Sequence, residues 1–416
     1  MEVNFGKLQL TEERALESYF EESINLKLIN SLIIAKEKEN FRGSELSSYF
    51  KGYLLPLYKD FGGELFARCH GILDRLEIDS SMIEFYISNT PEFNCSSINI
   101  PDKAKPDIIV INRGLLEKLS LDEMGFVIGH EIGHILFGHS YVTKAIQYVY
   151  PEYEKLPPFL MKLYEVWRKL AEISCDRIGL LACNDYEVSI RALFKLSSGL
   201  EDNYFNLTTE NMLSITEKAF EEMKVNPSYL NISHPANPLR IKAIKAFYNS
   251  ESWKRISEGK DVDKDESLEK EMENIKSHIR RAPLNELETL ELQFISSAGL
   301  ILMLADKEEI EEKEHTYLIN ILSEYIHWPQ EYFSTLTEGD VVKKMQEAVK
   351  TIKEKAPWKT RQLAGKLLPI IIRDNKLYDS EVNTYIKICV EELGINISEV
   401  VDSILAGIRQ MYSPLS

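Results

Sequence analysis

Residues 120–138 read Ser-Leu-Asp-Glu-Met-Gly-Phe-Val-Ile-Gly-His-Glu-Ile-Gly-His-Ile-Leu-Phe-Gly. The run is apolar on nearly all sides, as in a helix enclosed by a core. Within it stand His130, Glu131 and His134. Positions four apart share a helix face, so both imidazoles can turn toward one point, with Glu131 beside them. Burying two imidazoles and a carboxylate is costly unless they are paired or hold an ion. Two histidines at this spacing are what a tetrahedral zinc ion needs from one helix, and the adjacent carboxylate is placed to act as a general base. Gly129 and Gly133 each weaken such a helix by up to ~1 kcal/mol against alanine. Their presence predicts that another backbone or side chain comes close there.

A catalytic zinc site takes three protein ligands and keeps a fourth position for water. In residues 167–181, Leu170, Ile173, Ile178 and Leu181 have helical spacing, which predicts a second buried helix,. Glu172 and Asp176 lie four apart on one of its faces. One carboxylate could ligate zinc, and the other could accept the remaining N–H of a ligating imidazole and fix its tautomer.

His130-Glu-Ile-Gly-His134 followed by Glu172-x-x-x-Asp176 resembles the zinc metallopeptidases of the HtpX-like and CAAX-prenyl-endopeptidase family, which are gluzincins. The resemblance spans about residues 60–250. It takes in Val110–Leu116 before the zinc helix, Leu119–Met124 at its start, and Ser233-His-Pro-Ala-Asn-Pro-Leu-Arg240 near the end of the domain. It implies an α+β, mainly helical fold with a small sheet. It also implies zinc on His130, His134 and Glu172, catalysis by Glu131, and support of the site by Asp176 and Arg240. In the same motif the Pro235 ring favours an extended backbone at His234, whose imidazole could contact the oxyanion, the preferred reading, or lean onto the zinc. Cys175 stands where relatives carry a small residue and is read as a packing residue. His139 is off the ligand face and is read as structural.

Good strand character is confined to residues 80–112. Ile83–Ile87 and Asp107–Ile111 are short, branched or aromatic, and bounded by Pro and Asn,. Between them, Phe93–Ile100 resembles the family strand at the active-site edge. Asn94, Cys95 and Ser96 are therefore the candidate substrate-binding residues, pairing with an extended peptide. Residues 140–165, rich in Tyr and Pro, connect the two zinc helices and could wall the cleft.

The remaining chain divides by composition. Residues 1–60 read as an N-terminal helical segment and 61–250 as the peptidase domain. Residues 251–284 are dense in charge and read as a linker. Residues 285–416 read as an all-helical domain with an internal repeat at an offset of 68, in which Asp306, Tyr317 and Leu318 match Asp374, Tyr385 and Ile386. That domain resembles the TerB-like family. Its acidic positions Asp306, Glu311, Asp374 and Asp379 lack the alternating oxygens and glycine of an EF-hand and read as helix starts favoured by the macrodipole.

The 416 residues carry a net charge of −17, with both halves acidic and no basic stripe, which argues against nucleic acid and anionic membrane as partners,. No apolar run approaches the ~18–20 residues of a membrane span. Five scattered cysteines, none in a CxxC, read as reduced thiols in a cytoplasmic protein,. The expectation is a soluble zinc endopeptidase acting on proteins or peptides, with a C-terminal domain that recruits a substrate or partner or regulates access. The competing expectation is a metal-stabilised interaction or stress-response module with a latent site and little turnover. An intact Glu131 speaks for catalysis.

Overall fold

The run Asp107–Asn112 is apolar between its ends, as expected of a strand covered on both faces,. In the computed structural model it does lie inside a sheet. The structure describes residues 4–40, 52–100, 105–152, 155–199, 208–225, 236–261, 265–280, 283, 285–305, 312–336, 341–372 and 377–411. The chain falls into two compact units: residues 1–155 with 164–279, and residues 156–163 with 280–416.

The first unit begins with helices α1 (Thr11–Ile24) and α2 (Leu26–Asn40), then strand β1 (Leu55–Pro56) and helix α3 (Lys59–Arg75). Strands β2 (Ile83–Ser88), β3 (Cys95–Ile98) and β4 (Asp107–Asn112) follow. The sheet order is β1-β2-β4-β3. β2 and β4 are parallel, with Phe85 opposite Ile109, while β1 and β3 run antiparallel to their neighbours. β3 is thus an edge strand. One face of the sheet buries Tyr86, Ile108 and Val110.

A short helix α4 (Arg113–Lys118) leads to α5 (Leu121–Phe137), which packs against β3 and β4. α5 starts where it does because Ser120 and Glu123 form a capping box. The Ser120 hydroxyl accepts from the Glu123 N–H at 3.3 Å, and the Glu123 carboxylate accepts from the Ser120 N–H at 2.8 Å,. Then come α6 (His139–Val149), α7 (Pro158–Cys183), α8 (Tyr186–Ser198), α9 (Thr209–Val225), α10 (Asn237–Tyr248), α11 (Glu251–Ser257) and α12 (Glu266–Lys276). Gly129 and Gly133 lie where α5 crosses α7. A Cβ on Gly129 would stand 2.2 Å from the Ala182 methyl, and one on Gly133 would stand 2.9 Å from the Cys175 Cα. The close approach predicted from these glycines is present.

Two boundaries differ from the sequence expectation. Residues 251–284 are not a linker where they are described: α11 and α12 belong to the first unit and bury Trp253, Leu268, Met272 and Ile275. The charge density of this stretch hides an apolar face at helical spacing. Asp265 also caps α12 and accepts the Ser252 N–H at 3.1 Å. Nor is the N-terminal segment separate from the core of the first unit. Leu8, Leu10, Leu16 and Phe20 are buried, Arg177 donates to the Leu8 carbonyl, and the Leu10 N–H donates to Ser174. Strand β1 falls outside residues 80–112, because two residues ending in proline carry no strand signal,.

The second unit, where described, is helical: α13 (Glu286–Met303), α14 (Glu312–Leu322), α15 (Pro329–Leu336), α16 (Val341–Lys355), α17 (Lys359–Ile372), α18 (Asp379–Lys387) and α19 (Ile397–Met411). Its elements keep the 68-residue offset. The ends of α13 and α17, the starts of α14 and α18, and the starts of α15 and α19 each fall within a residue of it. The paired Tyr317 and Tyr385 both donate to α17 carbonyls, of Lys366 and Ala364. Asp379 opens α18, whereas Asp306, Glu311 and Asp374 lie outside the described residues.

Candidate metal centre and cleft

Helix α5 delivers His130, Glu131 and His134, and α7 delivers Glu172 and Asp176 from across the glycine crossing. His130 Nε2 and His134 Nε2 are 3.2 Å apart. Glu172 brings one oxygen to 3.5 Å from His130 Nε2 and the other to 3.6 Å from His134 Nε2. Donors on a tetrahedral zinc with bonds of about 2.05 Å sit about 3.3 Å apart. The three side chains thus stand close enough together to hold such an ion. Two imidazoles and a carboxylate also suit zinc better than magnesium or calcium.

The supporting groups hold this arrangement. His130 Nδ1–H donates to Asp176 at 3.0 Å, which leaves Nε2 to face the site,. Arg240, from α10, forks onto Asp176 with contacts of 2.8 and 2.5 Å and lies 3.5 Å from Glu172. Burial opposes ionisation of Asp176, but Arg240 and His130 bring its pKa below the usual carboxylate range. Glu172 is likewise held anionic against burial, by His130, Arg240 and His134. Burial, with His130 next, keeps His134 well below the ordinary histidine value and so neutral, the form a ligand needs,. Burial would also lower His130, yet Asp176 and Glu172 raise it to about 9. The pocket thus attracts positive charge.

Glu131 stands outside the candidate ligand group and takes hydrogen bonds from Ser97 of β3. Burial raises its pKa to about 7, with His130 and hydrogen bonds from Ser97 opposing. A carboxyl held near neutrality suits proton transfer. Ser97 has no place among the expected site residues. Strand alternation is the signal that points to it, because Ser97 shares a face of β3 with Cys95. A cleft of about 740 Å³ opens beside these groups, lined by Asn94, Cys95, Ser96, Ser97, Lys144 and Arg168 among others. Cys95 is buried, while Ser96 is exposed. Ser140, Thr143 and Gln147 from α6 form part of the wall, as expected of the segment joining the two helices.

Cys175 is fully buried under Gly133. Burial, reinforced by Glu172 and Glu13, holds its thiol well above the ordinary value, so it packs as a neutral group,. His139, off the ligand face in sequence, bonds to His134. His234 lies outside the described residues.

Residues 87–154 match the family model described as Peptidase family M48. That match contains His130, Glu131 and His134 and stops before Glu172. A named relative is Plastoglobule-localized metallopeptidase 48, chloroplastic, from Arabidopsis thaliana, 27% identical over 206 residues. The alignment covers 45% of this chain and 58% of that protein. No solved structure matches. The family model is thus one of peptidases and the relative is named a metallopeptidase. Among the described residues no helix is long and apolar enough to cross a membrane.

Proposed function

We propose that the chain is a zinc-dependent endopeptidase of the HtpX-like, gluzincin kind, with His130, His134 and Glu172 as ligands and Glu131 as general base. The observation that carries this reading is the convergence of two imidazole nitrogens 3.2 Å apart on a carboxylate whose two oxygens lie 3.5 and 3.6 Å from them, next to a buried carboxyl raised toward neutrality and open to a cleft. Zinc bound there supplies Lewis acidity to the scissile carbonyl and lowers the pKa of water. Glu131 takes the proton of the attacking water and returns it to the leaving amine. Ser97 holds Glu131 in place by donating to its carboxylate. Asp176 and Arg240 keep His130 and Glu172 oriented. β3, an edge strand on the cleft, supports main-chain pairing with an extended substrate at Asn94, Cys95 and Ser96,. His234 is the proposed oxyanion contact, on the His-Pro motif alone.

The second unit is proposed as a TerB-like module that recruits a protein substrate or partner. The repeated helix pattern supports it. Five cysteines, all buried and free, support a reducing compartment such as the cytoplasm,. Elemental analysis of the purified protein tests the metal. About one zinc per chain is expected, and its loss from a His130→Ala, His134→Ala double variant. Full zinc in that variant would remove the assignment.

A further inference from the structure

Neutral histidine carries one ring proton, and a ligating histidine must keep it on the nitrogen that faces away from the metal. For His130 this is arranged by Asp176. For His134 the structure provides something else. Its Nδ1 lies 2.8 Å from Nδ1 of His139, and His139 Nε2 lies 2.7 Å from a carboxylate oxygen of Glu13. Glu13 belongs to α1, far outside the residues matched by the M48 family. Glu13 is 0% exposed and His139 4%. Gly138, at φ +72°, makes the sharp turn between α5 and α6 that folds His139 back onto His134.

The proton count has one solution compatible with a metal. Glu13 can only accept, so His139 carries its proton on Nε2. Its Nδ1 then has a lone pair and accepts from His134 Nδ1–H. The Nε2 lone pair of His134 is left free toward His130 and Glu172. If His139 instead donated from Nδ1, the His134 proton would move to Nε2 and block the site. We propose that Glu13 is a positioning residue of the metal centre: through His139 it selects the tautomer and ring orientation of His134, so the N-terminal helix is part of the site.

The surroundings favour a relay over a second cation site. Glu13, Glu17 and His139 are close enough to hold an ion. However, the Gln9 amide already donates to both carboxylates, at 2.7 and 3.0 Å, and the Trp167 indole donates to Glu17 at 3.1 Å. Ser174 donates to the second oxygen of Glu13. These donors hold the Glu13 carboxylate with one oxygen against His139. The Trp167 ring stands edge-on to His139 at 5.5 Å and fixes the imidazole plane.

The inference rests on the proposed metal site but not on peptidase turnover, so its test reads zinc affinity in the full chain by competition with a chelator. Glu13→Gln and His139→Phe should each weaken zinc binding by about 10- to 100-fold, as loss of a ligand's hydrogen-bond partner does elsewhere. The double variant should be no weaker than the worse single one, because the two residues act as one chain. Leu16→Ala, which loosens the same helix without touching the relay, should lower the melting temperature and leave zinc affinity unchanged. Histidine ¹⁵N NMR of the zinc-loaded parent gives an independent reading that needs no variant. It should find His134 protonated at Nδ1 and His139 at Nε2. A parent that binds no zinc would overturn the metal reading itself. A parent that binds zinc, with folded variants matching its affinity or His139 protonated at Nδ1, would overturn the relay alone.

Discussion

Glu131 is the residue whose chemistry is most exposed to a single test. Glu131→Gln keeps size and burial but cannot take a proton. Zinc content and melting temperature should stay near the parent's, while peptide cleavage falls by ~10²–10⁴-fold. Cleavage at the parent's rate would remove Glu131 as base. A second residue-scale prediction concerns the start of α5. Lys195 reaches Glu123 at 2.9 Å, and both side chains are almost fully enclosed. Lys195→Met leaves the Glu123 carboxylate buried without its cation, and breaking such a pair costs ~3–5 kcal/mol. Denaturant unfolding should register that loss even with zinc in excess. The Lys195 pairing is invisible in sequence. Its lysine reads as one more charge on an amphipathic helix, and only the packing of α8 on α5 puts it over Glu123.

At the scale of elements, the crossing of α5 and α7 decides whether ligands from two helices meet. Gly129→Ala would force a methyl against Ala182, at an expected cost of ~1–3 kcal/mol. Pairing it with Ala182→Gly should recover part of that loss, since the clash is between the two methyls, although Gly179 and the Ile178 carbonyl stay within 3.0 and 3.1 Å. A thermodynamic cycle of the two variants measures the coupling, and strict additivity would mean the helices do not meet as drawn. The capping box is a separate element. Ser120→Ala should cost ~1 kcal/mol by equilibrium unfolding. Both features are local enough to be read from the chain. Glycines in an apolar helix announce a close neighbour, and Ser-x-x-Glu before an apolar run announces a helix start.

For the whole molecule, charge density is a poor guide to boundaries. A fragment ending at residue 250 discards Trp253, Leu268, Met272 and Ile275, all buried in the first unit. Deleting one such large side chain typically costs ~2–5 kcal/mol. The fragment ending at 250 should therefore bind zinc weakly or fail to fold, whereas one ending at Ile279 should bind it better. Circular dichroism and zinc retention distinguish the two. The longer fragment still carries Leu156, Phe159, Leu160 and Leu163, which pack with the second unit's residues, so detergent or polar replacements at these positions should improve its solubility. Equal behaviour of the two fragments would restore the linker reading.

What the sequence determined by itself is periodic or adjacent: the apolar helix with His130, Glu131 and His134, the second helix with Glu172 and Asp176, the strands within 80–112, and the helical repeat. These follow from fixed spacings of 3.6 and 2 residues, which a chain carries in its order. Arg240 entered the site only through family resemblance, and its pairing with Asp176 appears only in the tertiary structure. Ser97 on Glu131, Glu13 behind His139 and the α11–α12 helices in the first unit were decided by tertiary structure. Each joins residues distant in sequence, and hydrogen bonding and burial there depend on where whole elements dock, not on any local pattern.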